Sequence, residues 1–319
     1  MGIINIMIFF FGISRMCQGD GSRRRKSMEI RTLRYFLAVA REENMSRAAE
    51  QLHVTQPTLS KALKSLEEEL GKKLFTRHSF SIALTEEGVL LRDRAEDLVS
   101  MADKIEQEFL SLDDIAGGDL YFGLAESWQI RHLAREIRKF KKVYPDIRYH
   151  ITSGDTEQVT EKLDKGLLDF AAIFEIPDVR KYNYIQFPEA DYFGAVVPAD
   201  AELAKKERIT AEDLAGLPLF TSEQSWENDI RPWAKEHFSL LNLEGSFRLA
   251  YNGSMFAREG LGILLPLHNL IDTSPGSGLV FRPLYPRLEM KMYLIWNKYQ
   301  NFTPIAERFL KQMEKSFSK

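Results

Sequence analysis

The chain has 319 residues, 44% of them hydrophobic and 28% charged, with a formal net charge of -3. That is a water-soluble profile, long enough for two or more domains, and its mildly acidic balance excludes one large nucleic-acid-coating surface while leaving room for a small local DNA reader. A single cysteine, Cys17, excludes an intrachain disulfide or a cysteine-built zinc site and fits a reducing, cytoplasmic setting.

The first segment, MGIINIMIFFFGIS, is about as long as the apolar core of a signal peptide. It has no basic stretch ahead of it, because Arg23, Arg24, Arg25 and Lys26 follow it instead. It is also short of the roughly 20 residues that span a bilayer. An export signal or anchor is one reading. The favoured one is a start codon assigned too far upstream, with translation beginning at Met28 and residues 1–27 a non-native or disordered extension.

From residue 32 to 71 the spacing is helical. Leu33, Phe36, Leu37 and Ala40 recur on one face, and Ser46 is the expected N-cap of a second helix carrying Ala48, Ala49 and Leu52. After a turn at His53-Val54-Thr55, a third apolar face of Leu59, Leu63, Leu66 and Leu70 is expected to point inward, with Gly71 as C-cap. Residues 74–84 read as a small β-hairpin, or wing, turning around His78-Ser79-Phe80.

Two helices joined by a tight turn make a helix-turn-helix. A rotation of 100° per residue places Pro57, Ser60, Lys61 and Lys64 opposite or beside the leucines. These flank the N-terminal end of the second helix, the end that enters the major groove in this motif. Gln56 suits a bidentate pair with adenine, lysine reaches guanine, and Ser or Thr serves bases or phosphates. The plainer alternative makes Thr55 a simple N-cap and Lys61 and Lys64 a solvated face.

Residues 86–112 predict one long helix. Its apolar positions Leu91, Ala95, Leu98, Ala102, Ile105, Phe109 and Leu112 step by four and three, a heptad seam that favours a partner helix over packing on its own domain. Ala116-Gly117-Gly118-Asp119 reads as a linker. Strands are then expected at 120–124, 147–151 and 170–174, alternating with helices at 130–143 and 157–165. That alternation predicts βαβ units and a mainly parallel sheet. A second stretch opens near Tyr192 with FGAVVP, continues through a helix at 211–214 and a strand at 218–221, and ends with a strand near 262–266. Two α/β subdomains with a cleft between them account for the region. Gly260-Leu261-Gly262 follows a helix and precedes a strand, the reverse of a dinucleotide loop, so a helix C-cap is expected there.

The stretch LRYFLAVAREENMSRAAEQLHVTQPTLSKALKSLEEELGKKLFTR, followed by LTEEG, resembles the N-terminal domain of the LysR-type transcriptional regulators. The segments LDKGLLDFAAI, FGAVVPADAELA and GLGILLP resemble the effector-binding region of that family in order and spacing. The resemblance implies an α/β chain in three parts. Residues 28–85 would be a winged helix-turn-helix domain, and 86–115 a linker and dimerisation helix. Residues 116–319 would be a periplasmic-binding-protein-like effector domain, with subdomain I at 116–190 and 292–319 and subdomain II at 191–291.

Carried over by position, the resemblance assigns DNA contacts to Thr55, Gln56, Pro57, Thr58, Ser60, Lys61, Lys64 and the wing's Arg77, with His78 assisting. The wing that follows, HSFSIAL, is more apolar than the family's Gly- and Arg-rich version, which puts further wing contacts in doubt. Effector contacts fall on Ser127, Thr156, Thr221 and Ser222, whose hydroxyls and neighbouring helix N-termini suit a carboxylate. For each of these the alternative is a plain helix cap. Glu126 stands where many relatives carry an uncharged residue; at the cleft mouth it repels a dicarboxylate and welcomes an amine, or it is a solvated rim charge. Trp128, Phe174, Tyr192 and Trp226 line the cleft or belong to the core. The implied partners are double-stranded promoter DNA, a small-molecule effector, further copies of the chain (a dimer, and a tetramer by the resemblance) and RNA polymerase, with no membrane and no cofactor.

No Gly-x-Ser-x-Gly, His-Glu-x-x-His or Walker motif occurs, and the six histidines lack metal-ligand spacing, so no enzyme is expected. The competing class is an exported solute-binding protein with an unrelated N-terminal helical segment, which leaves the helix-turn-helix and the heptad helix unused.

Overall fold

A computed structural model describes residues 28–77, 82–111 and 117–317. The expectations for residues 1–27, His78 and the wing turn, Leu112 and Ala116 lie outside these. The chain divides into two compact units, one ending at Ala102 and the other beginning at Asp103.

In the first unit, helices α1 (Ile30–Glu42), α2 (Met45–Gln51) and α3 (Gln56–Leu70) surround a core of Leu33, Phe36, Val39, Ala48, Ala49, Leu59, Leu63 and Leu66. The N-cap of α2 is Asn44 rather than the expected Ser46. The Asn44 backbone is extended, and its side chain accepts from the Ser46 and Arg47 amides at 2.9 and 3.1 Å. Ser46 already lies inside the first turn, where its hydroxyl no longer reaches the leading amides. Gly71 ends α3 with φ +66°, as a C-cap glycine should. Leu70, expected to point inward, is 43% exposed: it shares the face of Leu66 but sits one turn beyond the core.

The wing is an antiparallel pair of β1 (Phe75–Arg77) and β2 (Ile82–Leu84), with Phe75 opposite Leu84. Helix α4 (Glu86–Ser111) follows at once and is pressed against the approach to the wing, since a Cβ at Gly88 would meet the Leu74 carbonyl oxygen at 2.2 Å. The seam of α4 is divided. Leu91 and Ala95 pack into the core of the first unit, whereas Leu98, Ile105 and Phe109 are 44%, 46% and 71% exposed.

The second unit holds two five-stranded sheets. Strands β3 (Gly117–Leu124), β4 (Asp146–Ser153), β5 (Phe170–Ile173), β6 (Tyr182–Tyr192) and β12 (Glu289–Asn297) form the first, in the order β4-β3-β5-β12-β6. Helices α5 (Ile130–Lys141), α6 (Thr156–Asp164) and α10 (Pro304–Phe317) cover it. The second sheet is β11-β7-β10-β8-β9, from β7 (Gly194–Pro198), β8 (Pro218–Thr221), β9 (Asn242–Ser246), β10 (Ile263–Leu264) and β11 (Leu279–Pro283). It is accompanied by the short helices α7 (Glu223–Ser225) and α8 (Arg231–Ala234), joined by a π-helical turn at Trp226–Ile230, and by α9 (Ala250–Arg258).

The expectation of a mainly parallel sheet is corrected. Each sheet has two parallel and two antiparallel pairings. One strand in each sheet, β12 or β7, opposes the other four, and each is the strand by which the chain arrives from the other sheet. A strand entering from the shared hinge runs away from it, against the βαβ strands. The linker expectation is also corrected. Gly117, Gly118 and Asp119 are strand residues paired with Asp146, Ile147 and Arg148, and the Asp119 carboxylate accepts from Arg148 Nη2 at 2.8 Å and from His150 at 2.6 Å. The helix expected at 211–214 is a single 3-10 turn, Glu212–Leu214. Gly260, with φ +75°, closes α9 as expected of a C-terminal glycine.

The sheets change over at Phe193 and again within residues 284–288, a few residues from the boundaries read in the sequence. Lys104, on the part of α4 that belongs to this unit, is buried against the first sheet, with Nζ 2.8 Å from Asp169, 3.0 Å from the Gly166 carbonyl oxygen and 4.8 Å from the Tyr121 ring centre. Among the described residues no helix is long and apolar enough to cross a membrane.

Candidate DNA-reading helix and effector cleft

Three buried leucines, Leu59, Leu63 and Leu66, anchor α3 from behind, so its opposite face is presented outward. Gln56, Pro57, Thr58, Lys61 and Lys64 are exposed there and Ser60 is half-buried. Thr55 is the N-cap: its hydroxyl accepts from the Thr58 amide at 3.4 Å and lies 2.8 Å from the Thr58 hydroxyl. The Gln56 side chain takes a long hydrogen bond of 3.4 Å from Ser46. Lys64 lies 3.7 Å from Glu68, both well exposed, a pairing of little worth in water. Arg77 is placed at the end of β1 opposite Ile82. The face therefore offers an amide, two lysines and hydroxyls at the start of one helix, the groups that pair with base edges and phosphates.

The second candidate site lies where the two subdomains meet. Loops after β3, β4, β5 and β8 converge there, because all four strands end on the side of the hinge. Ser127 is buried and already engaged: its hydroxyl donates to Asp191 and accepts from the Gln129 amide at 2.8 Å. Thr156 is buried in the first turn of α6, and the cap itself is Asp155, which accepts from the Gln158 amide at 2.9 Å. Thr221 is 1% exposed and donates to the Leu265 carbonyl oxygen at 3.2 Å, while Ser222 caps α7 by accepting from Ser225 at 3.0 Å. Trp226 belongs to the second core, Tyr192 stacks on His268 at 4.2 Å, and Trp128 stays 38% exposed beneath Arg131.

The carboxylate that gathers this region is Asp191, which is fully buried. Besides Ser127 it holds Gln129 Nε2 at 3.1 Å and faces His268 Nδ1 at 3.4 Å, so it bridges the two subdomains beside the first crossing. Burial pulls His268 below the usual histidine range, against the opposing charge of Asp191. Asp229, in the π-helical turn, is pushed up to about 6 by burial and by the charge of Glu175, which outweigh a hydrogen bond from Ser225. Sequence reasoning missed Asp191, Gln129 and His268. The one available signal was an aspartate set directly ahead of the apolar run YFGAVVP.

Residues 30–89 match the family described as "Bacterial regulatory helix-turn-helix protein, lysR family", and residues 115–318 match the "LysR substrate binding domain". The chain belongs to the LysR family. It is a transcriptional regulator that joins a DNA-binding helix-turn-helix to an effector-binding domain. Among relatives, it is 28% identical to the Hca operon transcriptional activator HcaR of Escherichia coli, over 85% of this chain and 92% of the relative. It is 25% identical to the transcriptional activator CmpR of Synechocystis, over 89% of this chain and 94% of the relative. The crystal structure of the LysR-family regulator CbnR superposes with a TM-score of 0.73 at 19% identity, covering 92% of this chain and all of CbnR. CbnR complexed with its target DNA gives 0.69 at 18% identity, over 91% of this chain and all of that one. At such identity the likeness speaks for the fold. The alternative of an exported solute-binding protein falls away, because both halves of the chain match one regulator family in the family's own order.

Proposed function

We propose that this LysR-family regulator reads promoter DNA through the outward face of α3. In this reading Gln56, Lys61 and Ser60 face base edges. Thr55, Pro57 and Thr58 set the entry of the helix, Lys64 meets phosphate, and Arg77 lies beside the minor groove. The observation that carries it is the contrast between the buried Leu59, Leu63 and Leu66 and the exposed Gln56, Lys61 and Lys64 on one fifteen-residue helix. The protein acts in the cytoplasm, without enzymatic activity, as a dimer joined along the exposed Leu98, Ile105 and Phe109 of α4, two dimers forming a tetramer.

A small-molecule effector binds between the subdomains, near Ser127, Thr156, Thr221 and Ser222. It biases two arrangements of the subunits and so alters DNA bending and access for RNA polymerase. Genome-wide footprinting of the purified protein on the DNA of its source organism tests this reading. Discrete protected sites in promoters are expected, and neighbouring genes then suggest effectors for thermal-shift assays. Uniform, salt-labile binding with no preferred site defeats it.

A further inference from the structure

Glu126 follows β3, and although the residue is exposed its carboxylate has a partner. Its Oε2 accepts a hydrogen bond of 2.7 Å from the backbone amide of Ala250, on the other subdomain and 124 positions along the chain. Ala250 is the first residue of α9, and the N-cap position before it is Leu249, whose side chain makes no capping bond. Leucine has no acceptor, so the leading amide of this helix takes one from across the cleft. A carboxylate suits that end doubly, through the hydrogen bond and through the helix dipole. The backbone around Glu126 is fixed on both sides, since the Ala125 amide bonds the Ala172 carbonyl oxygen at 2.9 Å and Ser127 is held by Asp191 and Gln129. The side chain therefore starts from a rigid point on one wall and ends on a rigid element of the other.

We propose that Glu126 is a built-in strap: its carboxylate caps α9 from the opposite subdomain and fastens the two walls of the cleft together. The inference rests on reading this cleft as the effector site. An effector entering there meets walls already joined and has to part Glu126 from Ala250. The cleft is thus fastened at two places, at its mouth by Glu126 and at the hinge by Asp191 with His268.

Hydrogen–deuterium exchange on the full-length protein, with neither DNA nor any effector present, tests the strap. Glu126→Ala, checked for unchanged fold by circular dichroism, is expected to speed exchange of the Ala250 amide on the order of fivefold, as loss of a helix cap does. It is also expected to speed exchange of the hinge amides of Phe193 and His268, which bond to Leu288 and Tyr192 across or beside the two crossings. Glu126→Gln retains an acceptor without the charge and falls between the two; it replaces the alanine variant if that one does not fold. Faster exchange at Ala250 alone makes Glu126 a local cap and overturns the proposal, as does no change anywhere. Because no ligand enters the measurement, either failure leaves the effector reading standing, and absence of any effector leaves the strap standing.

Discussion

Lys104 Nζ lies 2.8 Å from Asp169 Oδ1, with both side chains only 5% exposed. The lysine sits on the long helix α4 and the aspartate just before β5, so the pair joins that end of the helix to the first sheet. The Asp169 carboxylate also accepts from the Tyr121 amide at 2.8 Å. Burial pushes its carboxyl above the usual aspartate range, against the pull of Lys104. Such a pair adds little net stability but costs much to break, because one partner removed leaves a buried charge alone.

Lys104→Met is therefore expected to destabilise the protein by about 3–5 kcal/mol, measured by denaturant unfolding. Since folded Asp169 keeps its proton to higher pH than an unfolded aspartate, the deficit should shrink as pH is lowered. The double variant with Asp169→Leu should recover most of the loss. A single variant as stable as the parent would refute the joint.

Asp119 behaves oppositely. Burial alone would raise its carboxyl, but hydrogen bonds from Arg148 and His150, with their charges, outweigh this and hold it below the ordinary aspartate value. A depressed folded-state pKa contributes stability that is present above the unfolded value and is lost as pH falls through the folded one. The stability gap between the parent and Asp119→Asn should thus be full near pH 6 and should close below about pH 4. Thermal melts across pH 3 to 6 follow it, and a constant gap contradicts the assignment.

For DNA reading, Gln56→Ala should weaken binding to a selected operator by about 1–3 kcal/mol and leave binding to random duplex nearly unchanged. Lys64→Ala should lower both together and reduce the slope of log affinity against log salt by about one. Fluorescence anisotropy at several salt concentrations separates the two. Equal losses for Gln56→Ala on both DNAs would exclude base reading by this residue.

The exposed stripe on α4 carries a solution prediction. A double substitution, Leu98→Asp with Phe109→Asp, places charges where a partner helix would pack and should convert the oligomer to monomer without unfolding the winged domain. Sedimentation velocity reports the size and circular dichroism the fold. An unchanged sedimentation coefficient would move the dimer contact elsewhere.

The helix-turn-helix was legible because its physics is local. The spacing of Leu59, Leu63 and Leu66 on α3, Thr55 before Pro57 and Gly71 after the last turn all act within one helix and sit where the sequence placed them, whereas Leu70 runs one turn past the core. The cap falls on Asn44 rather than Ser46 because the extended backbone of Asn44 brings its side chain to the leading amides, which residue spacing alone does not show. Mixed sheets were not legible, because strand direction depends on where the chain returns from the second subdomain, a distant fact. The cleft was legible as a place but less so as chemistry. Ser127 and Thr221 were visible as hydroxyls, yet their partners, Asp191 and the Leu265 carbonyl, lie 64 and 44 positions away. Glu126 was visible as a charge beside Ser127, and its bond to Ala250 was not.

Strand β12 lies between β5 and β6, so an interior strand of the first sheet is supplied by residues that come late in the sequence. During synthesis the winged domain has its whole sequence early and can fold while the ribosome is still translating. The sensory half has to wait until residue 297 has emerged, and α10 after it. A message truncated ahead of Glu289 would therefore yield a product with its helix-turn-helix complete and its effector-binding half unfinished.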